Sequence, residues 1–199
     1  MSDNERINQF QELMCELILK VCCSQAMFTY GEKQYKTYNY LLSQLLRQYS
    51  EVNSEGIGVH HDIDLCKKSY QFTVRAVNAL DEFEKKYAKL SNSKKRSILW
   101  KDFLHPEHIM PNVIIRNKLQ EKAKLNGFTL SVVKAIMHDC KIIILSKEES
   151  RVLDGSKLTK YMLDGVKVNG FSMRTSGVPE ERLSAIGASI HSEYMSNKL

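Results

Sequence analysis

The chain has 199 residues, of which 43% are hydrophobic and 26% are charged. These values are typical of a folded globular protein and exclude a wholly disordered one. The formal net charge is +6, and the basic excess follows residue 90, since residues 1–90 carry 11 basic and 12 acidic side chains and residues 91–199 carry 18 and 11. This asymmetry predicts a second half that faces a polyanion such as nucleic acid, with a solvated basic surface as the alternative.

The cysteines and the first residues indicate the compartment. Five cysteines without a paired spacing predict reduced thiols, as in the cytosol. The first residues lack the basic start and the apolar stretch of a signal peptide, and no window approaches ~18 uninterrupted apolar residues. The sequence therefore predicts a cytoplasmic protein with no membrane partner.

Three amphipathic helices are predicted in residues 1–90. Apolar residues recur at three- and four-residue steps over residues 4–26, 35–50 and about 62–90, so each segment has one apolar stripe. Helices joined by short loops bury such stripes against one another. Residues 1–90 are therefore predicted to form an antiparallel helical bundle, which also offers a surface for a homodimer.

Residues 91–199 are predicted to form a small basic α+β domain. Residues 91–96 are polar and basic and predict a linker, and residues 98–103 predict a short apolar helix. Further helices are predicted from residue 112 to the stop at Gly127, and after a cap at Thr129 or Ser131. With the strands described next, the predicted fold class is α+β, mainly α.

The clearest strand is the β-branched run over residues 141–145. Ser146 and Glu149 have the spacing of a capping box and predict a helix to about residue 153. Residues 166–171 predict a strand and turn. Residues 179–187 predict a short helix with proline at its start and glycine at its exit.

Glu107 and His108 are the sharpest candidates for chemistry, and they lie between Pro106 and Pro111 at a predicted strand end. Phosphodiester hydrolysis needs a base to deprotonate water and a carboxylate or imidazole to hold a cation. Adjacent side chains of a strand point to opposite faces, so the pair reaches one site only if the prolines bend the backbone. The alternative is that His105 and His108 are loop histidines that hydrogen-bond the local backbone.

Residues 100–155 resemble the His-Me finger, or HNH, endonucleases. Members of that family have an acid-His pair followed by Ile-x-Pro, as in residues 107–111, and then a second strand and a helix whose start is similar to residues 146–150. The resemblance implies that His108 is the general base, that Glu107 is the metal-side acid, and that a divalent cation, Mg²⁺, Mn²⁺ or Zn²⁺, is the cofactor. It implies a metal-dependent endonuclease of a phage, mobile element or defence system that hydrolyses phosphodiester bonds of nucleic acid, with DNA favoured over RNA.

One position departs from that family. Ser150 stands where the family has a metal-binding histidine, and a hydroxyl is a poor substitute for an imidazole. Either another side chain completes the metal site, or the site is degenerate and the fold binds without cleaving. The alternatives for that side chain are Glu149, Asp154, His105 or His138.

A helix-turn-helix is the competing interpretation of the segment between the strands. Ala123, Gly127, Val133 and Ile136 have the spacing of the packed alanine, the turn glycine and two core residues of such a motif. Its second helix offers few Arg, Asn or Gln side chains for base edges. Any helical hairpin with a glycine cap shows this spacing, so a non-catalytic DNA-binding module and a protein-interaction module both stay open.

Four metal-capable side chains lie close together before the third predicted helix. They predict either a surface transition-metal site or the start of that helix, and helix-start chemistry favours the cap. They are His60, His61, Asp62 and Asp64.

Basic residues of the second half are the predicted phosphate contacts. They would bind a DNA backbone whether the protein cleaves the strand or only binds it. They are Lys94, Lys95, Arg96, Arg116, Lys118, Lys134 and Arg174.

Overall fold

The computed structural model describes residues 3–51, 63–154, 160–163, 166–169, 183 and 186–190. Helices predominate and a small sheet accompanies them, so the predicted α+β, mainly α fold class is confirmed. Within these residues, no helix combines the length and the apolar character needed to cross a membrane.

The helices and strands alternate along much of the chain. The helices are α1 (Asp3–Gln25), α2 (Lys33–Glu51), α3 (Ile63–Ser69), α4 (Val74–Tyr87), α5 (Asn92–Ile98), α6 (Asn112–Ala123), α7 (Leu130–Met137) and α8 (Lys147–Asp154). The strands are β1 (Gln71–Phe72), β2 (Leu104–His108), β3 (Ile142–Ser146), β4 (Lys160–Leu163) and β5 (Val166–Asn169), and a π-helical turn, Leu99–Phe103, joins α5 to β2.

Two compact units divide the chain, and each is built from two separate segments. The helical unit consists of residues 1–58 and 110–141, and the sheet unit consists of residues 59–109 and 142–199. This division differs from the predicted single boundary between residues 90 and 91. The reason is that α6 and α7, rather than the third predicted helix, pack against α1 and α2.

The helical unit encloses one apolar core between α1, α2, α6 and α7. Side-chain hydrogen bonds also join α6 to α1 and α2. The Gln120 side-chain amide of α6 donates to Gln25 Oε1 of α1 at 2.8 Å and to Asn39 Oδ1 of α2 at 2.9 Å. The buried core residues are Cys15, Ile18, Cys22, Leu42, Leu46, Met110, Ile115, Leu119, Val133, Met137 and Cys140.

The sheet unit is built around β3, the central strand of a three-stranded sheet ordered β1-β3-β2. β1 pairs with it in parallel and β2 pairs with it antiparallel. All five residues of β3 are buried, which is why the strand reads as a continuous apolar run rather than as an alternating one. A separate antiparallel pair is formed by β4 and β5.

The two faces of β3 belong to different cores. Ile142 and Ile144 pack in a cluster with α4 and the π-helical turn, whereas Ile143 and Leu145 pack with Leu153 of α8. This arrangement follows from strand geometry, because alternate side chains of a strand point to opposite faces.

The predicted helix over residues 62–90 is wrong, because the chain breaks into α3, β1 and α4. Phe72 pairs with Ile144 in the sheet, and Thr73 caps the N-terminus of α4 by accepting from Ala76 N. Cys66, Phe72 and Ala76 are all buried in one cluster, so the apolar pattern continues across a break that periodicity cannot detect.

The predicted linker over residues 91–96 is also wrong, since α5 occupies it. The first turn of α5 is closed by a backbone hydrogen bond, in which Lys95 N donates to Ser91 O at 2.9 Å. The predicted helices matching α1, α2, α6, α7 and α8 and the strand matching β3 are confirmed. The helix predicted over residues 179–187 lies largely outside the described residues.

A buried junction joins the N-termini of α4 and α8. Glu149 Oε2 accepts from Ser146 N at 2.9 Å, and Ser146 Oγ accepts from Glu149 N at 3.2 Å, which confirms the predicted capping box. The same Oε2 accepts from Thr73 Oγ1 at 2.7 Å, while Thr73 Oγ1 accepts from Ala76 N at 3.1 Å. The Glu149 carboxylate, 76 residues after Thr73 in sequence, therefore ties together the starts of two helices.

Thr73→Val tests this junction, because it keeps the shape of the side chain and removes its hydroxyl. We expect the free energy of unfolding to fall by about 1–3 kcal/mol, since α4 loses its cap and the buried carboxylate loses a donor. Urea denaturation followed by circular dichroism measures the change.

Thr37→Val is the matched control, because Thr37 is exposed and its hydroxyl donates only to Lys33 O of its own helix. We expect a change below about 0.5 kcal/mol for this variant. Equal losses in both variants would contradict a special role for the junction.

Candidate functional site

In strand β2, Glu107 lies beside His105. His105 Nε2 lies 3.3 Å from Glu107 Oε2, and the two side chains are 26% and 13% exposed. The register between β2 and β3 continues unbroken to the pair His108 and Ile142. The backbone of β2 is therefore regular through both residues, without the break in strand pairing that a bend at the prolines would produce.

The space beside Glu107 and His108 is small and otherwise apolar. Its volume is about 10 Å³, enough for about one water molecule and too little for a cation with a phosphate. The remaining lining residues are Ile109, Ile143, Leu145, Leu153, Leu183 and Ile186. This lining supplies no further ligand for a metal ion.

The other expected metal ligands have separate places. Glu149 is fully buried, with one carboxylate oxygen held by the capping junction. His138 is exposed at the C-terminal end of α7, in the helical unit. Across the described ranges, no three His, Cys, Asp or Glu side chains come together as a metal site. The expected Mg²⁺, Mn²⁺ or Zn²⁺ site is therefore not formed by described residues.

The structure describes only part of the cluster at residues 60–64. His60, His61 and Asp62 lie outside the described residues. Asp64 lies in the first turn of α3, where a carboxylate interacts favourably with the helix dipole.

All five thiols are free, and four of them are buried. Burial raises the pKa of Cys15 to about 11 and the pKa values of Cys22 and Cys140 to about 12. A cysteine nucleophile reacts as the thiolate, so these three side chains are poorly suited to covalent catalysis.

The helices α6 and α7 form the predicted helical hairpin. The turn contains Gly127 at a φ of +87°, Val133 is buried, and Ala123 and Ile136 pack against the same core. The exposed side of α7 carries one basic residue, Lys134, whose Nζ lies 2.6 Å from Glu12 Oε1. A helix with this surface presents few side chains that could hydrogen-bond base edges or bind phosphates.

The other predicted phosphate contacts of the helical unit are also engaged. Lys118 Nζ lies 3.4 Å from Asp139 Oδ2, and Arg116 is half-buried and donates to Ser43 Oγ at 3.2 Å. Arg174 lies outside the described residues. Lys118 and Lys134 are thus paired with carboxylates of their own unit, whereas Arg116 has a hydroxyl as its described partner.

Residues 85–101, here called the basic segment, concentrate positive charge in the sheet unit. The segment runs from the last turn of α4 through α5 into the π-helical turn, and it contains seven basic residues and no acidic one. Among the residues that the structure describes, none of its six lysines takes part in an ion pair. The basic residues are Lys85, Lys86, Lys89, Lys94, Lys95, Arg96 and Lys101.

Sequence reasoning found three members of the basic segment and missed four. The predicted members are Lys94, Lys95 and Arg96, and the predicted domain boundary after residue 90 separates them from Lys85, Lys86 and Lys89. The fourth missed residue, Lys101, lies on the same side of that boundary as the predicted three. The signal that identifies the whole segment is the absence of any acidic residue over residues 85–101.

The chain matches none of the protein-family models, curated proteins or solved structures with which it was compared. Its function is therefore inferred from its own residues.

Thiol labelling tests the burial of the cysteines. At pH 8 and without denaturant, we expect one fast-reacting thiol, Cys23, because it is the exposed one, and slow reaction of the other four. The thiolate fraction at Cys15, with a pKa of about 11, is only about a thousandth at that pH. The time course of reaction with an aromatic disulfide reagent measures both phases.

Cys23→Ser is expected to remove the fast phase and leave the slow one. Addition of denaturant is expected to make all remaining thiols react together. A second fast thiol in the folded protein would contradict the described packing.

Proposed function

We propose that the protein binds nucleic acid without cleaving it, and that the basic segment contacts the phosphate backbone. The observation that carries this proposal is a run of seven cations over residues 85–101 that no acidic residue interrupts. Cations that neutralise phosphates release condensed counterions, and this release supplies most of the sequence-independent affinity for nucleic acid.

Several of these cations lie at helix C-termini, and this position reduces the electrostatic repulsion among them. Lys85 and Lys86 lie in the last turn of α4, and Lys95 and Arg96 lie in the last turn of α5. Unpaired carbonyls at helix C-termini carry partial negative charge, which offsets part of the repulsion among nearby cations. The side chains still extend into solvent, since all seven are exposed except the half-buried Lys95.

The basic segment is better supported as the binding surface than the helical hairpin of α6 and α7. Lys118 and Lys134 of the hairpin are each within 4 Å of a carboxylate, so a phosphate would have to displace an existing partner. Exposed ion pairs of this kind are worth little to stability, but they lower the net charge that a polyanion meets.

Binding is better supported than cleavage for three reasons. Glu107 has His105 as its imidazole neighbour, the space beside His108 is about 10 Å³, and Glu149 serves as a helix cap. A nuclease cation needs several ligands converging on one open site. The surroundings of β2 lack that convergence among the described residues.

A triple substitution tests the basic segment. For Lys94→Ala, Lys95→Ala and Arg96→Ala combined, we expect weaker binding of a labelled single-stranded DNA oligonucleotide and a shallower dependence of affinity on salt. The slope of log affinity against log salt should decrease by about 2, since each lost single-strand phosphate contact contributes about 0.7. Fluorescence anisotropy titrations between about 50 and 200 mM salt measure both quantities.

The matched control removes three exposed lysines of the helical unit, through Lys20→Ala, Lys33→Ala and Lys36→Ala. It changes the net charge equally, so it separates a local surface from the effect of overall charge. We expect affinity within about twofold of the unchanged protein, allowing for weak long-range attraction. Similar losses in both triple variants, or no loss in either, would overturn the proposal.

A cleavage assay distinguishes binding from the endonuclease that the HNH resemblance implies. We expect supercoiled plasmid DNA to stay intact with Mg²⁺, Mn²⁺ or Zn²⁺ present, because no described site holds such a cation. The assay is read by gel electrophoresis. Metal-dependent cleavage that His108→Ala abolishes, with binding unchanged, would establish the endonuclease instead.

A further inference from the structure

A cleft of about 440 Å³ opens in the sheet unit beside the basic segment. Leu80, Phe83 and Leu99 contribute buried apolar surface to it, and the half-buried Trp100 lines it as well. Its volume lies within the range of about 300–1,000 Å³ that is usual for small-molecule sites. The cleft therefore combines an apolar floor with a large aromatic ring.

The polar lining of the cleft is divided by charge. Asn92, Lys95 and Arg96 of α5 contribute amide and cationic groups, and these three residues belong to the basic segment. Asp64 and Glu84 contribute carboxylates, and Glu84 Oε1 lies 3.0 Å from Lys67 Nζ, which compensates its charge. A ligand with one anionic end would thus place that end at α5.

We propose that the cleft receives one unpaired base of a single-stranded nucleic acid, stacked on Trp100, while its phosphate lies at Lys95 and Arg96. This proposal rests on the proposed function and adds to it the strandedness of the ligand. Stacking of bases on aromatic side chains is tolerant of sequence, because every base has a flat π-face. Bases in an intact duplex are stacked on their neighbours and do not reach such a cleft.

Two features of the cleft favour a base over a free anionic metabolite. Lys95 and Arg96 belong both to its lining and to the basic segment, so a strand bound along the segment passes the cleft opening. The apolar floor and the indole match the planar, weakly polar face of a base. A polymer also gains from contacts made along its backbone, which a single anion lacks.

Trp100 offers a direct readout, because it is the only tryptophan of the chain. The first probe is a single-stranded oligothymidylate of about twelve nucleotides, within the usual range of binding-site sizes of ~4–16. The second is an abasic strand of the same length, which keeps the phosphates and lacks the bases. We expect both strands to bind in anisotropy titrations, but only the oligothymidylate to quench the tryptophan fluorescence strongly.

Ala88→Phe tests the cleft without removing any charge. Ala88 lines the cleft and is exposed, so a phenyl ring there should fill space that a base would occupy. We expect its affinity for oligothymidylate to drop about 5- to 150-fold, toward that for the abasic strand, in line with the usual strength of base stacking. Ala135→Phe, at an exposed alanine of α7, is the matched control and should bind as the unchanged protein does.

The outcomes separate this inference from the proposed function. Equal quenching by both strands, or binding by Ala88→Phe that equals that of the control variant, would overturn the base-binding cleft while leaving backbone binding intact. Tight binding of duplex DNA together with no binding of single strands would also overturn it. Failure of the unchanged protein to bind any of these strands would overturn the proposed function and this inference together.

Discussion

The sheet unit depends on one buried carboxylate. Glu149 is fully buried, and its Oε2 accepts hydrogen bonds from the Ser146 backbone and from the Thr73 hydroxyl. A buried carboxylate is costly unless donors compensate it, and both described donors meet Oε2, whereas Oε1 has no hydrogen-bond partner among the described residues. The parallel pairing of β1 with β3 lies beside this junction, where Thr73 N donates to Ile144 O at 3.1 Å.

The junction also determines where the basic segment lies in the sheet unit. α4 begins directly after Thr73 and has 14 residues, so its last turn lies about 21 Å along the helix axis. Lys85 and Lys86 are in that turn, and α5 continues the run of cations. A polar junction at one end of α4 thus positions the charged surface at the other end, which joins the stability of the sheet unit to its proposed binding surface.

The basic segment is distinguished by the closeness of its cations and by the lack of an acidic residue among them, and this supports the proposed function. Lysines without an ion pair in the described structure, such as Lys20 and Lys33, also occur in the helical unit. In the helical unit, Lys118 and Lys134 lie against Asp139 and Glu12. In the basic segment, the described structure pairs none of the lysines with an acid. Charges that a protein leaves uncompensated remain available to a partner of opposite charge, and a polyanion gains most from cations that are already close together.

The sequence alone determined the features that depend on neighbours within about one or two helical turns. Periodicity located α1 and α2, the spacing of Ser146 and Glu149 located the start of α8, and the β-branched run located β3. Of the candidate site, it identified part of the basic segment, because charge can be read without coordinates. Only the tertiary structure decided the break before α4, the joining of α6 and α7 to α1 and α2, and the pairing of Glu107 with His105. The first two outcomes depend on strand pairing and burial between segments far apart in the chain, and such contacts leave no local pattern in the sequence. His105 and Glu107 are only two residues apart, and they share a face because the pairing of β2 with β3 makes this segment a regular strand.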